Sequence, residues 1–142
     1  MSSSFGDFQI RMVRDDEYEL LRDFGYIDDV HGLILVPKGF KTNFASIESL
    51  RVALFPIYAA LANYGDRAAT IHDYLYSGYP IVKADGSEFF PTRKEADDVF
   101  YRALRAEGIA RWRAWMFWAG VRVGGDKYYA LNKRHEFKNN GE

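Results

Sequence analysis

Apolar and polar residues change period part-way along this 142-residue chain. In the first third they alternate in twos. Phe8-Gln9-Ile10-Arg11-Met12 alternates cleanly and predicts a strand. Tyr18 to Phe24 predicts a second strand, although Leu20-Leu21 breaks the alternation. Leu33-Ile34-Leu35-Val36 is a β-rich run closed by Pro37, and Phe40 to Phe44 returns as a further strand. Asp15-Asp16-Glu17, Asp28-Asp29 with His31-Gly32, and Lys38-Gly39 supply the turns. Residues 8–44 therefore read as a small antiparallel meander, preceded by an arm over 1–7.

The period lengthens after residue 45. Ser46 or Ser49 caps a helical turn through Val52, Leu54 and Phe55, and Ile57 to Tyr64 forms a second helical piece. Asp66, an N-cap residue, opens a helix that Gly78 stops. Its stripe is Ala68, Ile71 and Leu75. Asp85-Gly86, between two β-prone runs, predicts a hairpin over 81–90. Thr92 and Glu95 form a capping box for a helix with the stripe Ala96, Val99, Phe100, Ala103 and Leu104. A last helix, Arg111 to Val123, carries Trp112, Trp115, Met116 and Ala119 on one face, read as core. Residues 125–142 are a polar tail. The fold class is α+β, a single domain: an N-terminal antiparallel sheet packed on three or four C-terminal helices, with the hairpin between the two central ones.

Candidate chemistry gathers on two of these helices. His72 and Tyr76 are four residues apart, so they share a face at roughly 5–6 Å between β-carbons. Asp73 lies about 100° round from His72. Asp97 borders the stripe of the capping-box helix, and packing of the two stripes brings it towards His72; Asp98 faces solvent. A carboxylate on one imidazole nitrogen leaves the other as a base. His72, Asp97 and Tyr76 are the catalytic candidates and Asp73 the metal candidate. The same group equally reads as a buried polar tie between helices. His31 and His135 read as solvent-exposed. Trp118 falls off the tryptophan stripe; with Tyr128, Tyr129 and Phe137 it is an interface candidate.

Composition narrows the classes. Aromatics make up 17% of the chain, enough for a packed core rather than disorder. The absence of cysteine excludes disulfides and thiolate chemistry, which fits the cytoplasm or a particle assembled there. A net charge of −1 gives no general pull towards nucleic acid. The longest apolar run, Val52 to Ala62, is too short for a bilayer and contains Pro56. No signal peptide is expected.

Two resemblances follow. Val36-Pro37-Lys38-Gly39-Phe40-Lys41-Thr42-Asn43-Phe44-Ala45-Ser46, His72-Asp73-Tyr74-Leu75-Tyr76, Arg93-Lys94-Glu95-Ala96-Asp97 and Arg111-Trp112-Arg113 stand in the order seen in a family of small uncharacterised tailed-phage and prophage proteins. The chain resembles that family over residues 18–124, with Asn43 where Asp is usual and Glu48 where Pro is usual. The resemblance implies a virion-associated structural or accessory protein of tail, baseplate or neck, partnered by other phage structural proteins, in the virion or host cytoplasm. A host-directed interaction protein is a further reading. Locally, His-Asp-x-x-Tyr, a hairpin and a helix bearing Ala-Asp are similar to secreted and parvoviral phospholipases. That likeness implies His72 as base to a water, Asp73 on calcium, and Tyr76 and Asp97 holding the histidine. The alternative function is thus a calcium-dependent hydrolase of lipid or another ester. The glycine-rich calcium loop of those enzymes is not recognisable; Gly39 and Thr42 to Ser46 are the candidate replacements.

Overall fold

A computed structural model describes residues 4–14, 17–42, 66–124 and Tyr129. The expected helical pieces at 46–55 and 57–64, the end of the Phe40–Phe44 strand, His135, Tyr128 and Phe137 lie outside the described residues.

The chain is α+β. Among the described residues six strands come first: β1 (Ser4–Phe5), β2 (Ile10–Arg14), β3 (Glu17–Leu20), β4 (Phe24–Asp28), β5 (Gly32–Val36) and β6 (Lys41–Thr42). Helix α1 (Asp66–Tyr76), the short strands β7 (Ile81–Val82) and β8 (Glu88–Phe89), α2 (Arg93–Ala106) and α3 (Arg111–Gly124) follow. The expected single meander is two antiparallel sheets, one in the order β1-β4-β5-β7-β8 and one in the order β2-β3-β6. The split falls at Leu20-Leu21, where the alternation breaks. Leu20 is buried and Leu21 exposed, and the chain leaves one sheet for the other within three residues. β7 pairs with both β5 and β8, so the segment between the helices is the edge of the larger sheet.

Register follows burial. Phe24 faces Val36 and Tyr26 faces Ile34 across β4 and β5, and all four are buried. Asp28 closes the turn by accepting from the His31 N–H, and Arg102 of α2 clamps the same carboxylate with two hydrogen bonds of 2.8 and 3.1 Å. Gly32 ends the turn with φ at 126°. A Cβ there would stand 2.5 Å from the Val82 carbonyl oxygen. Gly32→Ala should therefore cost roughly 1–3 kcal/mol through forced backbone strain, read as a lowered denaturation midpoint; an unchanged midpoint would show that β5 and β7 can separate freely.

The helices pack small against large. Ala68, Ala96 and Ala103 let α1 and α2 approach, and Ile71, Leu75, Val99 and Phe100 fill the seam with no exposed surface to speak of. Both bonds of the predicted capping box form at the start of α2: the Thr92 hydroxyl accepts from the Glu95 N–H, and the Glu95 carboxylate accepts from the Thr92 N–H. α3 is a correction. Its buried residues are Ala114, Phe117 and Val121, while Trp112 and Trp115 are each 59% exposed. The helix carries two apolar stripes, and the slimmer one fits against α2, where Phe117 meets the edge of Phe100. Among the described residues no helix is long and apolar enough to cross a membrane.

The start of α1 is held from a distance. Glu107, at the C-terminal cap of α2, accepts from the backbone N–H groups of Ala68 and Arg67. Burial outweighs those donors and pushes the Glu107 carboxyl up to about 7. The folded state thus binds this proton more tightly than the unfolded chain does. The contribution is complete below the ordinary glutamate range and is lost as pH rises through about 7. Burial raises Asp66 and Asp73 in the same sense. Unfolding free energy should fall as pH rises from about 4.5 to about 7 and level off above that, and Glu107→Gln should flatten the slope. An unaltered slope in that variant would assign the effect elsewhere.

Candidate functional site

Asp97 is the centre of the site. It lies on the inner face of α2, one turn after Arg93, and its side chain has no exposed surface. Its Oδ1 takes two contacts from α1: His72 Nε2 at 2.7 Å and the Tyr76 hydroxyl at 2.6 Å. Its Oδ2 takes Arg122 Nη1 of α3 at 2.9 Å, with Arg93 Nη1 3.7 Å away. The i, i+4 spacing of His72 and Tyr76 brings their ring centres to 4.0 Å, and Phe100 lies against the imidazole at 4.6 Å. Three helices therefore converge on one carboxylate.

Charge follows from these contacts. Burial alone would raise Asp97, but the bonds from His72, Tyr76 and Arg122 outweigh it and hold the carboxyl below its usual range. The Tyr76 hydroxyl is pushed up, first by burial and then by the Asp97 charge, so it remains a donor. An ionised Asp97 can only accept. The proton on the facing imidazole nitrogen is thereby assigned to Nε2.

Asp73 stands apart from this group. It is partly buried, and the Thr42 side chain of β6 hydrogen-bonds to it. Burial raises its pKa, and Thr42 and His72 offset only part of that. Thr42 is itself buried. Calcium asks for six to eight oxygens. Asp73 and Thr42 give only a beginning, and no three His, Asp or Glu side chains gather as a metal site among the described residues. These residues do not by themselves fit calcium.

The interface candidates go to different places. Trp118 is partly buried and donates its indole N–H to Asp98 at 2.8 Å, so Asp98 has an aromatic partner as well as Lys94 on its solvent side. Tyr129 packs edge-on against Tyr76 at 5.3 Å, and its hydroxyl donates to the Pro91 carbonyl. Its ring walls the site. Sequence reasoning missed Arg93 and Arg122 as partners of Asp97. The i, i+4 spacing of Arg93 and Asp97 was a usable signal; no local pattern ties Arg122 to Asp97. Arg93 also donates to the Val121 and Arg122 carbonyls, so it closes the end of α3 beside the site.

A family model described as "Protein of unknown function (DUF1353)" matches residues 18–121, which include His72, Asp73, Tyr76 and Asp97. No curated protein and no solved structure matches the chain.

Proposed function

The chain belongs to the DUF1353 family, and from the site built by its matched residues we propose a hydrolase in which His72 is the general base. The observation that supports this is the 2.7 Å contact of Asp97 with His72 Nε2, on an oxygen that Tyr76 also engages. Those are the roles that the phospholipase likeness assigns to the three residues. His72 Nδ1 takes a proton from water as the water oxygen bonds to an ester carbonyl carbon. Asp97 stabilises the imidazolium through Nε2–H. The carbon–oxygen bond to the alcohol then breaks, and the proton returns from Nδ1 to the departing oxygen. No step is assigned to calcium. A lipid ester is the proposed substrate class, by the same likeness.

Fatty-acid release from mixed phospholipid micelles, with chelator and with calcium in separate arms, tests the reading. Release above the buffer rate supports it, and no release in either arm overturns it.

A second reading is a virion-associated accessory protein without catalysis, working through phage structural partners. It is favoured by Trp112, Trp115 and Val123, which leave α3 with a largely exposed apolar side. Co-purification of the protein with intact particles supports it, and its absence from washed particles counts against it.

A further inference from the structure

Asp97 and Asp98 are neighbours on α2, about 100° apart round the helix. Asp97 turns into the site above. Asp98 lines a separate cavity of about 260 Å³ between α2 and α3, together with Tyr101, Arg102, Trp115 and Trp118. We propose that this cavity binds a quaternary ammonium group.

Three observations carry the inference. The first is the wall. Three of the five lining residues are aromatic, and Trp115 stays 59% exposed. Aromatic rings attract cations through their faces, and tryptophan does so most strongly. The second is the charge. Arg102 is already engaged by Asp28 at 2.8 Å and lies 3.8 Å from Asp29. Lys94, 65% exposed, meets Asp98 at 2.9 Å in an i, i+4 pair. Asp98 is thus the carboxylate of the lining, and the charge of Arg102 is met by Asp28 and Asp29 outside it.

The third observation separates quaternary from primary amines. Asp98 Oδ1 accepts from the Trp118 indole and Oδ2 from Lys94. Each carboxylate oxygen already has a donor, so an added ammonium N–H would share an oxygen rather than take an empty one. A cation with no N–H, weakly hydrated and sheathed in methyl groups, needs only charge and ring surface. The Trp118–Asp98 bond also fixes that indole before anything binds.

The test is titration of the whole protein with tetramethylammonium chloride against sodium chloride at equal ionic strength, read by tryptophan fluorescence and by the Trp118 indole N–H resonance. Saturable binding on the order of millimolar is expected. Trp115→Ala should weaken it about tenfold or more, and methylammonium should bind less well than the quaternary ion. Trp112→Ala, equally exposed but outside the cavity, should leave it unchanged. Asp98→Ala should also lose binding. If that variant fails to fold, the exposed Trp115 variant still decides. Phosphatidylcholine vesicles identify the source. Co-sedimentation lost in Trp115→Ala assigns a lipid headgroup, and binding of the free ion alone assigns a soluble amine. Binding of neither overturns the proposal, as does binding that Trp115→Ala leaves intact or that methylammonium matches.

Discussion

Asp97→Ala should destabilise the protein by roughly 3–5 kcal/mol, the scale for removing one partner of a buried charged network. The variant leaves His72, Tyr76 and Arg122 facing a cavity where both acceptor oxygens stood. Arg122 keeps its charge at the edge of that cavity, and the two α1 donors lose their acceptor inside it. Domains of this size are stable by about 5–15 kcal/mol in total, so the loss is a large share. Asp97→Asn should recover part of it, because one amide oxygen can still accept from His72 and Tyr76. Tyr76→Phe removes a single donor to that charged group and should cost less, about 1.5–3 kcal/mol. Urea unfolding with a constant slope measures all three. A cost below about 1 kcal/mol for Asp97→Ala would show that the helices hold together without this carboxylate.

His72→Gln is the second large effect, and it lies in rate. Glutamine keeps much of the volume and can still donate to Asp97, but it cannot take a proton near neutrality. Hydrolysis should fall by about two to four orders of magnitude, the usual scale for general acid–base catalysis. Stability should change by no more than roughly 1–3 kcal/mol. A variant that unfolds more easily yet hydrolyses at the wild-type rate would return His72 to a purely structural role.

Much of this site could be read from the sequence because its geometry is local. His72 and Tyr76 lie on one face by helix periodicity, and the capping box sets where α2 begins and hence where Asp97 points. Two stripes that must bury each other then bring Asp97 to His72. What could not be read depends on distant choices. α3 is apolar nearly all round, so periodicity offers two core faces, and the fit of Ala114, Phe117 and Val121 against α2 selects between them. Arg122 reaches Asp97 only because of that selection. Alternation placed β2, β3 and β5 but neither β1, which lies in the expected arm over 1–7, nor β4, and it gave no partners: β1 pairs with β4, and β3 with β6. Nor does any pattern near Glu107 foretell that it caps a helix some forty residues earlier.

The most direct measurement is the pH dependence of kcat/KM for phospholipid ester hydrolysis, wild type beside His72→Gln. A general base must be unprotonated to act, so the wild-type rate should decline on the acid side with uptake of one proton. The residual rate of His72→Gln should lack that limb. A wild-type profile with no acid limb, or the same limb in both proteins, would contradict the assignment of His72 as the base.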